Sequence, residues 1–334
     1  MADIDNVNKE SSLLAAWLLD GQGGGKPLGW DEIKNWAPDQ GVMWVHLDRK
    51  NQTAHQWLTK QTNIDPYIAE AMFEDESRPR YSLNKAGTSC TLNLRSPNLN
   101  QDEEIDDMLS VRLWSDGQRI FTTRRLPIRA LHDIDEALKK EDGPVDASDF
   151  IETLCKYVTE NIVSVLSDLE DKINSIEKAL LKPQGKLEEF QSNLMVSQRI
   201  AINLRRYIIF QPDILNSIEN EPTGFMQERD LRQIRDASQK MAHAQSWADS
   251  LYDRSFNCQQ QIYMRLTTKT GRTTYLLTIV ASIFLPLTFL TGLLGTNIGG
   301  IPGGDNPLAF WVLSGLCAGI IFVQLLLLRF LKWF

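Results

Sequence analysis

The feature that most constrains this chain is a 56-residue stretch, 273–328, that has no Lys or Arg and only one charged residue, Asp305. Two apolar blocks within it, 273–294 and 308–328, each reach the roughly 20 residues that a helix needs to cross about 30 Å of hydrocarbon. The connector 295–307 is rich in Gly and Pro, which predicts a short polar turn. Two buried helices of a soluble protein are the alternative, but no later segment is available to cover them. We therefore predict two membrane spans.

The rest of the chain is expected to face water, because the mean hydropathy of all 334 residues is only −0.26. Basic residues flank the two apolar blocks, whereas the connector between the blocks has none. They are Arg265, Lys269 and Arg272 before the first block and Arg329 and Lys332 after the second. By the positive-inside rule both termini are cytoplasmic. The polar N-terminus shows no signal peptide, which agrees with a soluble part that stays inside.

Composition also limits the function classes. The net charge of −8 and the pI near 5.2 make nucleic acid an unfavourable partner and suit a surface that attracts cations. No nucleophile motif, phosphate loop or local metal-ligand set is present in the sequence, so we do not expect an enzyme or a required cofactor. Four cysteines lie far apart and are predicted to be buried thiols. They are Cys90, Cys155, Cys258 and Cys317.

Residues 1–148 predict a mixed α/β domain with a mostly antiparallel sheet. The strand candidates are 42–47, 80–83, 89–94, 108–114 and 119–123. The last two are joined by a hairpin turn at 115–118, which contains Asp116-Gly117. Helices are predicted at 66–73, where Pro66 suits a first turn, and at 126–140.

From residue 149 onwards the apolar spacing becomes helical. A helical hairpin layer is predicted at 149–224, with a break at Pro183 and Gly185 and a stop at Gln211-Pro212. A stalk helix follows at 225–272 and carries a heptad seam rich in small residues. The seam is Ile234, Ala237, Met241, Ala244, Ala248, Leu251, Ser255, Cys258 and Ile262. A helix continuous from 225 to 294 would be roughly 100 Å long.

The run IFLPLTFLTGLLGTNIGGIPGG, followed by a second span and a basic tail, resembles the CorA superfamily of divalent-cation transporters. The hallmark of that family is a Gly-Met-Asn tripeptide after the first span, and here the tripeptide is Gly295-Thr296-Asn297. This departure resembles the ZntB-like branch, which is associated with zinc transport. The resemblance implies an α+β cytoplasmic domain, a long helical stalk and two C-terminal transmembrane helices, in a funnel-shaped homopentamer in a bacterial inner membrane.

On this basis the chain divides into six segments. They are the cytoplasmic α/β domain 1–148, the helical hairpin layer 149–224, the stalk 225–272, the pore-lining first span 273–294, the external loop 295–307, and the second span with its cytoplasmic tail 308–334. The function implied is transport of Zn²⁺, with proton-coupled uptake as the suggested mode. A CorA-type Mg²⁺/Co²⁺ channel is the near alternative, and a membrane-anchored sensor or scaffold is a more distant one.

Two spans from one protomer cannot enclose a water-filled path, so transport requires an oligomer. Counting back from Asn297 at helical spacing gives one face of the first span as the pore lining. This face is Thr270, Thr274, Leu277, Ala281, Leu285, Thr288 and Gly292. It has no carboxylate or imidazole, and a bare divalent ion needs charged ligands at about 2 Å. We therefore expect a hydrated ion, with Leu277 and Leu285 placed to gate by dewetting.

The tripeptide Gly295-Thr296-Asn297 is the predicted selectivity loop, because Gly permits close backbone approach around an axis. A plain flexible turn is the alternative reading. Asp305 lies at the predicted external mouth and could attract cations, although a solvated turn aspartate is the favoured interpretation. Pro286 frees the carbonyl of Ser282 inside the first span, and simple accommodation is favoured over a role in gating.

Cytoplasmic metal ligands are harder to predict. Asp249 and Asp253 lie four residues apart on the stalk with His243 nearby, and Arg254 is expected to neutralise one of the two carboxylates. The acidic residues in 102–107 are more typical of a solvated loop than of a cation-collecting patch. His46, in a strand, is expected to be a packed core residue.

Overall fold

The computed structural model of the chain describes residues 12–74, 78–101, 103–105, 107–182, 187–296 and 306–330. These residues form two compact units, which divide between Gln259 and Gln260. The first unit contains a sheet and several helices. The second unit contains two helical segments.

The first unit is built on a seven-stranded sheet of order β2-β1-β3-β7-β6-β5-β4. Its strands are β1 Leu13–Leu19, β2 Gly25–Pro27, β3 Met43–Asp48, β4 Arg80–Leu83, β5 Cys90–Ser96, β6 Leu109–Ser115 and β7 Arg119–Arg124. β3 and β7 pair in parallel, and the other neighbouring strands pair antiparallel. The prediction of a mostly antiparallel sheet is therefore confirmed.

The five predicted strands all occur, with ends shifted by two residues at most. The hairpin between β6 and β7 also occurs at the predicted turn. Asp116 Oδ1 accepts hydrogen bonds from the backbone N–H groups of Gln118, at 3.1 Å, and Arg119, at 2.8 Å. Gly117 has φ +88°, and a Cβ there would lie 2.8 Å from the ring of Phe225. Sequence reasoning missed β1, because a short continuous apolar run does not distinguish a strand from a helix.

Helices cover both faces of the sheet. On one face, α1 Trp30–Lys34, α2 Gln52–Gln61 and α3 Pro66–Ala71 lie beside a core that includes Val45 and Phe121. Asp65 caps α3, since its Oδ1 accepts from the N–H of Tyr67 at 2.9 Å, and Pro66 occupies the first turn as predicted. On the other face, a larger core holds residues of α4 Arg129–Lys139 and α5 Ala147–Leu180.

The helical layer after the sheet has one more helix than predicted. α5 is capped by Asp146, whose side chain accepts from the N–H of Asp149 at 2.9 Å. α6 Leu187–Ile208 follows, and the predicted break at Pro183 and Gly185 lies outside the described residues. Gln211-Pro212 was predicted only as a stop. The structure corrects this, because α7 Gln211–Asn220 begins there with Pro212 in its first turn, where the missing N–H is not needed.

Two long helices complete the chain, α8 Glu228–Leu294 and α9 Ala309–Phe330. All nine residues of the predicted heptad seam are buried, which confirms the seam. Its first six residues, from Ile234 to Leu251, share one hydrophobic core with α5 and α6. The small side chains of this part of the seam are therefore covered by helices of the same chain.

Candidate functional site

The C-terminal part of α8 and the whole of α9 are long and apolar enough to span a membrane. Only 6% of the most apolar 18-residue window in each helix is buried within the chain. A core helix of a soluble protein would be mostly buried. The alternative of two buried helices therefore does not fit these residues.

The seven residues of the predicted pore face are all exposed in the single chain, with Leu277 at 66% and Leu285 at 71%. At about 100° per residue they lie within roughly 40° of a line through Ala281. Part of the opposite side of the same helical segment is shielded. Its residues are Ile279, which is 6% exposed, and the half-buried Tyr275, Ile283, Pro286 and Leu290. The predicted lining is therefore open, and Ile279 on the opposite side is the one buried residue among 273–294, although Leu276 and Leu293 on that side are exposed as well.

Two residues of the predicted selectivity loop close the end of α8. The N–H of Gly295 donates to the carbonyl of Thr291 at 2.9 Å, and Thr296 Oγ1 donates to the carbonyl of Leu293 at 2.9 Å. These bonds satisfy carbonyls that the last helical turn would otherwise leave unpaired. Asn297 and Asp305 lie outside the described residues.

The stalk carboxylates do not form a metal-ligand set in this chain. Asp249 pairs with Arg205, with Nε to Oδ1 at 2.7 Å, and Asp253 is exposed. His243 is also exposed, and its ring lies 6.3 Å from that of Trp247. All three predicted ligands lie on α8. Among the described residues, their donor atoms do not come close enough together to hold a metal ion.

Arg254 does not neutralise a stalk aspartate, which corrects the prediction. Its guanidinium instead reaches α5, where Nη1 lies 3.0 Å from Glu170 Oε1 and Nη2 lies 2.8 Å from Glu177 Oε2. The hydrogen bond from Arg254 lowers the pKa of Glu177. Sequence reasoning considered only neighbours on the same helix, and the true partners lie about 80 residues earlier in the chain.

One cluster that the sequence analysis did not consider has the residue types of a metal site. His132, Asp135 and Glu136 of α4 bring three donor atoms within 4.8 Å of one another. The ammonium of Lys139 already lies 2.8 Å from both Asp135 Oδ2 and Glu136 Oε1, and Trp17 Nε1 donates to Asp135 Oδ1 at 2.8 Å. These contacts identify the cluster as an ion-pair network on α4.

His46 is a core residue, as predicted. It is 4% exposed, and its Nδ1 lies 2.8 Å from Thr122 Oγ1. Burial, assisted by the charge of Arg124, lowers the pKa of His46 to about 3. The imidazole is therefore neutral at physiological pH.

Most of the cysteines are also core residues. Cys90, Cys155 and Cys258 are buried free thiols, which confirms the prediction for them, whereas Cys317 is partly exposed. Burial raises the pKa of Cys90 to about 12. These three thiols are therefore protonated and packed in the core rather than available as thiolate ligands.

The acidic segment 102–107 lies among basic residues where it is described. Glu104 Oε2 is 2.6 Å from Arg199 Nη2. Asp107 borders a cavity of about 270 Å³ whose other charged residues are all basic. They are Arg49, Lys50, Arg95 and Arg125. This surrounding favours the loop interpretation over a cation-collecting patch.

Comparisons with known proteins agree with this architecture. Residues 39–330 match a family model described as "CorA-like Mg2+ transporter protein". The divalent cation transporter CmaX of Pseudomonas aeruginosa is 30% identical over 326 residues, or 97% of each chain. The zinc transport protein ZntB of Pectobacterium carotovorum is 31% identical over 307 residues, which is 91% of this chain and 90% of that one. A solved structure of full-length CmaX covers 97% of this chain and 98% of its own, with a TM-score of 0.82 and 29% identity.

Proposed function

Because this chain belongs to the CorA family of divalent-cation transporters, we propose that it carries Zn²⁺ through a pore lined by the open face of α8. The observation that carries the proposal is a line of seven exposed, uncharged residues on a segment of α8 that is long and apolar enough to span a membrane. The seven predicted lining residues are exposed and uncharged, whereas the buried Ile279 lies on the opposite side. A helix that only anchored a scaffold would need apolar residues on every side, but Thr274 and Thr288 lie on the open face within the span.

The pore requires several copies of the chain, because one α8 and one α9 cannot enclose water. We propose a homopentamer in a bacterial inner membrane, with both termini in the cytoplasm. The family resemblance supports the fivefold symmetry. The basic residues Arg265, Lys269 and Arg272 support the orientation, since positive charge next to a span favours the cytoplasmic side.

The ion is proposed to cross in hydrated form. Tight binding of a bare divalent ion needs carboxylate, imidazole or thiolate ligands, and the proposed lining has none of them. Hydroxyl groups of Thr274 and Thr288 can instead contact the water shell of the ion. Leu277 and Leu285 form apolar rings where the pore can dewet and close. At the outer end, Asn297 provides amide contacts to the hydrated ion.

The choice of Zn²⁺ rests on the ZntB relative, and the family description makes Mg²⁺ the alternative. Uptake coupled to protons is the proposed mode. The described part of both spans has no carboxylate that could carry a proton, so protons would move with the pore water or through groups outside the spans.

Flux into proteoliposomes containing the purified full-length protein tests the proposal. We expect Zn²⁺ entry that is faster than Mg²⁺ entry and that rises when the vesicle interior is made alkaline. The variant Asn297→Ala should lose most of the flux, whereas Ser314→Ala should keep it, because the Ser314 hydroxyl bonds within its own helix to the carbonyl of Phe310. Faster Mg²⁺ entry would favour the channel alternative. No flux of either ion would exclude transport and leave the scaffold.

A further inference from the structure

Pro286 lies inside the first span and interrupts the hydrogen-bonding of α8. Proline has no backbone N–H, so the carbonyl of Ser282, four residues earlier, loses its helical donor. Away from the proposed pore, no water is available at this depth to replace that donor. An apolar span that contains this proline therefore needs another group to satisfy the Ser282 carbonyl.

Gln324 of α9 supplies that group. Its Nε2 donates a hydrogen bond to the carbonyl oxygen of Ser282 at 3.1 Å. Gln324 is the only glutamine in the stretch 273–328, which has a single charged residue, Asp305. An amide in such an apolar segment is unfavourable unless it has a polar partner, and here the partner is the carbonyl that Pro286 leaves without its helical donor.

Two buried residues lie close to this bond along the two spans. Ile279 lies one turn before Ser282 and is 6% exposed, and Leu328 lies one turn after Gln324 and is 8% exposed. No other described residue of the two spans is as buried as these two. The hydrogen bond places Ser282 opposite Gln324, and with antiparallel spans Ile279 and Leu328 both lie on the same side of that bond.

The bond acts on the helical turn that carries the proposed lining. Ser282 directly follows Ala281 and precedes Leu285 by three residues, and both of these lie on the open face. Its side chain is directed about 100° away from that face, towards the side where α9 contacts α8. A change in the position of the Ser282 carbonyl would therefore rotate or displace Ala281 and Leu285 together.

We propose that Gln324 is a positioning residue of the transporter: its amide replaces the hydrogen bond that Pro286 removes and so holds Ala281 and Leu285 towards the ion path. The inference rests on the proposed function, because it takes the open face of α8 as the lining. Pro286 and Gln324 then act together, because one removes the donor of the Ser282 carbonyl and the other replaces it. Neither residue alone would explain the bond between the spans.

A double-mutant cycle in the full-length protein tests this role. Gln324→Met keeps the size of the side chain but removes the donor, and Pro286→Ala restores the backbone N–H that would bond the Ser282 carbonyl. We expect Gln324→Met to lower Zn²⁺ flux in proteoliposomes by about fivefold in the natural background, as for loss of one hydrogen bond, and by less than about 1.5-fold in the Pro286→Ala background. Ser314→Ala, a polar deletion on the same helix, should give no such coupling.

Hydrogen exchange by mass spectrometry on the same reconstituted variants controls for misfolding. We expect Gln324→Met to raise exchange in peptides covering 279–290 while the strands of the first unit stay protected, and Pro286→Ala to remove the increase. An equal loss of flux in both backgrounds, or exchange that rises throughout the protein, would overturn the positioning role. Absence of flux from the unmodified protein would instead overturn the proposed function, so the two failures are distinguishable.

Discussion

Two regions of α8 differ in how their apolar and small residues are covered. In the region from Ile234 to Leu251, every seam residue is buried in a core that α5 and α6 of the same chain complete. In the region from Thr270 to Gly292, most residues are exposed, including the whole predicted lining, and only Ile279 is buried. The first region is therefore complete within one chain. The second has a surface that must meet lipid, water or other copies of the chain.

The charged residues differ in the same way. Beside the buried seam, Arg254 bonds Glu170 and Glu177, and Arg205 bonds Asp249. The segment 273–294 has no charged residue. The two regions of α8 are therefore stabilised differently. Ion pairs and core packing stabilise the seam region, whereas the span region has apolar side chains and an amide hydrogen bond from Gln324.

The largest expected difference between the two regions is the loss of stability when a leucine is shortened to alanine. Leu251→Ala should destabilise the protein by about 2–5 kcal/mol, because it leaves a cavity in a closed core. Leu277→Ala should change stability by less than about 0.5 kcal/mol, because Leu277 is 66% exposed in the single chain. Thermal unfolding midpoints of the detergent-solubilised protein measure both. Equal shifts would mean that the two regions are covered to the same extent in the assembled protein.

A change of pH should affect the first unit through His46. Its folded-state pKa, about 3, is below the ordinary value of 6.5. Below pH 6.5 the unfolded chain binds a proton that the folded chain does not, so stability falls as the pH decreases from 6.5 towards 3. The loss at pH 5 should be about 2 kcal/mol. His46→Gln should make the unfolding midpoint less sensitive to pH between 7 and 5. An unchanged pH dependence in this variant would contradict the assignment to His46.

Loss of the ion pairs beside the seam should have a smaller effect. Arg254→Leu removes the contacts to Glu170 and Glu177 and should cost about 1 kcal/mol, because these side chains are partly exposed. High salt should reduce the difference between the variant and the unmodified protein. Arg232→Leu is a suitable control, since its contact to Glu228 is long, at 3.8 Å, and highly exposed. A similar loss for both variants would show that the pairing to α5 adds no stability.

The smallest expected effect concerns the open face. Thr288→Val should lower Zn²⁺ flux by about threefold, as for loss of one weak water-mediated contact. Thr291→Val is the matched control, because its hydroxyl already donates to the carbonyl of Leu287 and lies off the lining. Thermal midpoints should be the same for both variants. A greater loss of flux for Thr291→Val would contradict the assignment of the open face.

Local patterns account for what could be predicted. The strands β4, β6 and β7 and the turn at Gly117 follow from alternation and turn chemistry, and the seam on α8 follows from heptad spacing. β1 was missed because its apolar run has no clear period, and α7 was missed because Pro212 was read only as a helix stop. The partners of Arg254 could not be predicted, because they lie on another helix.

The sequence by itself determined that this chain has two uncharged spans, a long stalk helix and a Gly-Thr-Asn tripeptide after the first span. These features are local, since they depend on the length, period and composition of continuous segments. Only the tertiary structure decided which residues of α8 are shielded and which group satisfies the Ser282 carbonyl. The physical reason is that hydrogen bonds and burial between helices depend on how two distant segments are paired. The sequence of either segment taken separately does not specify that pairing.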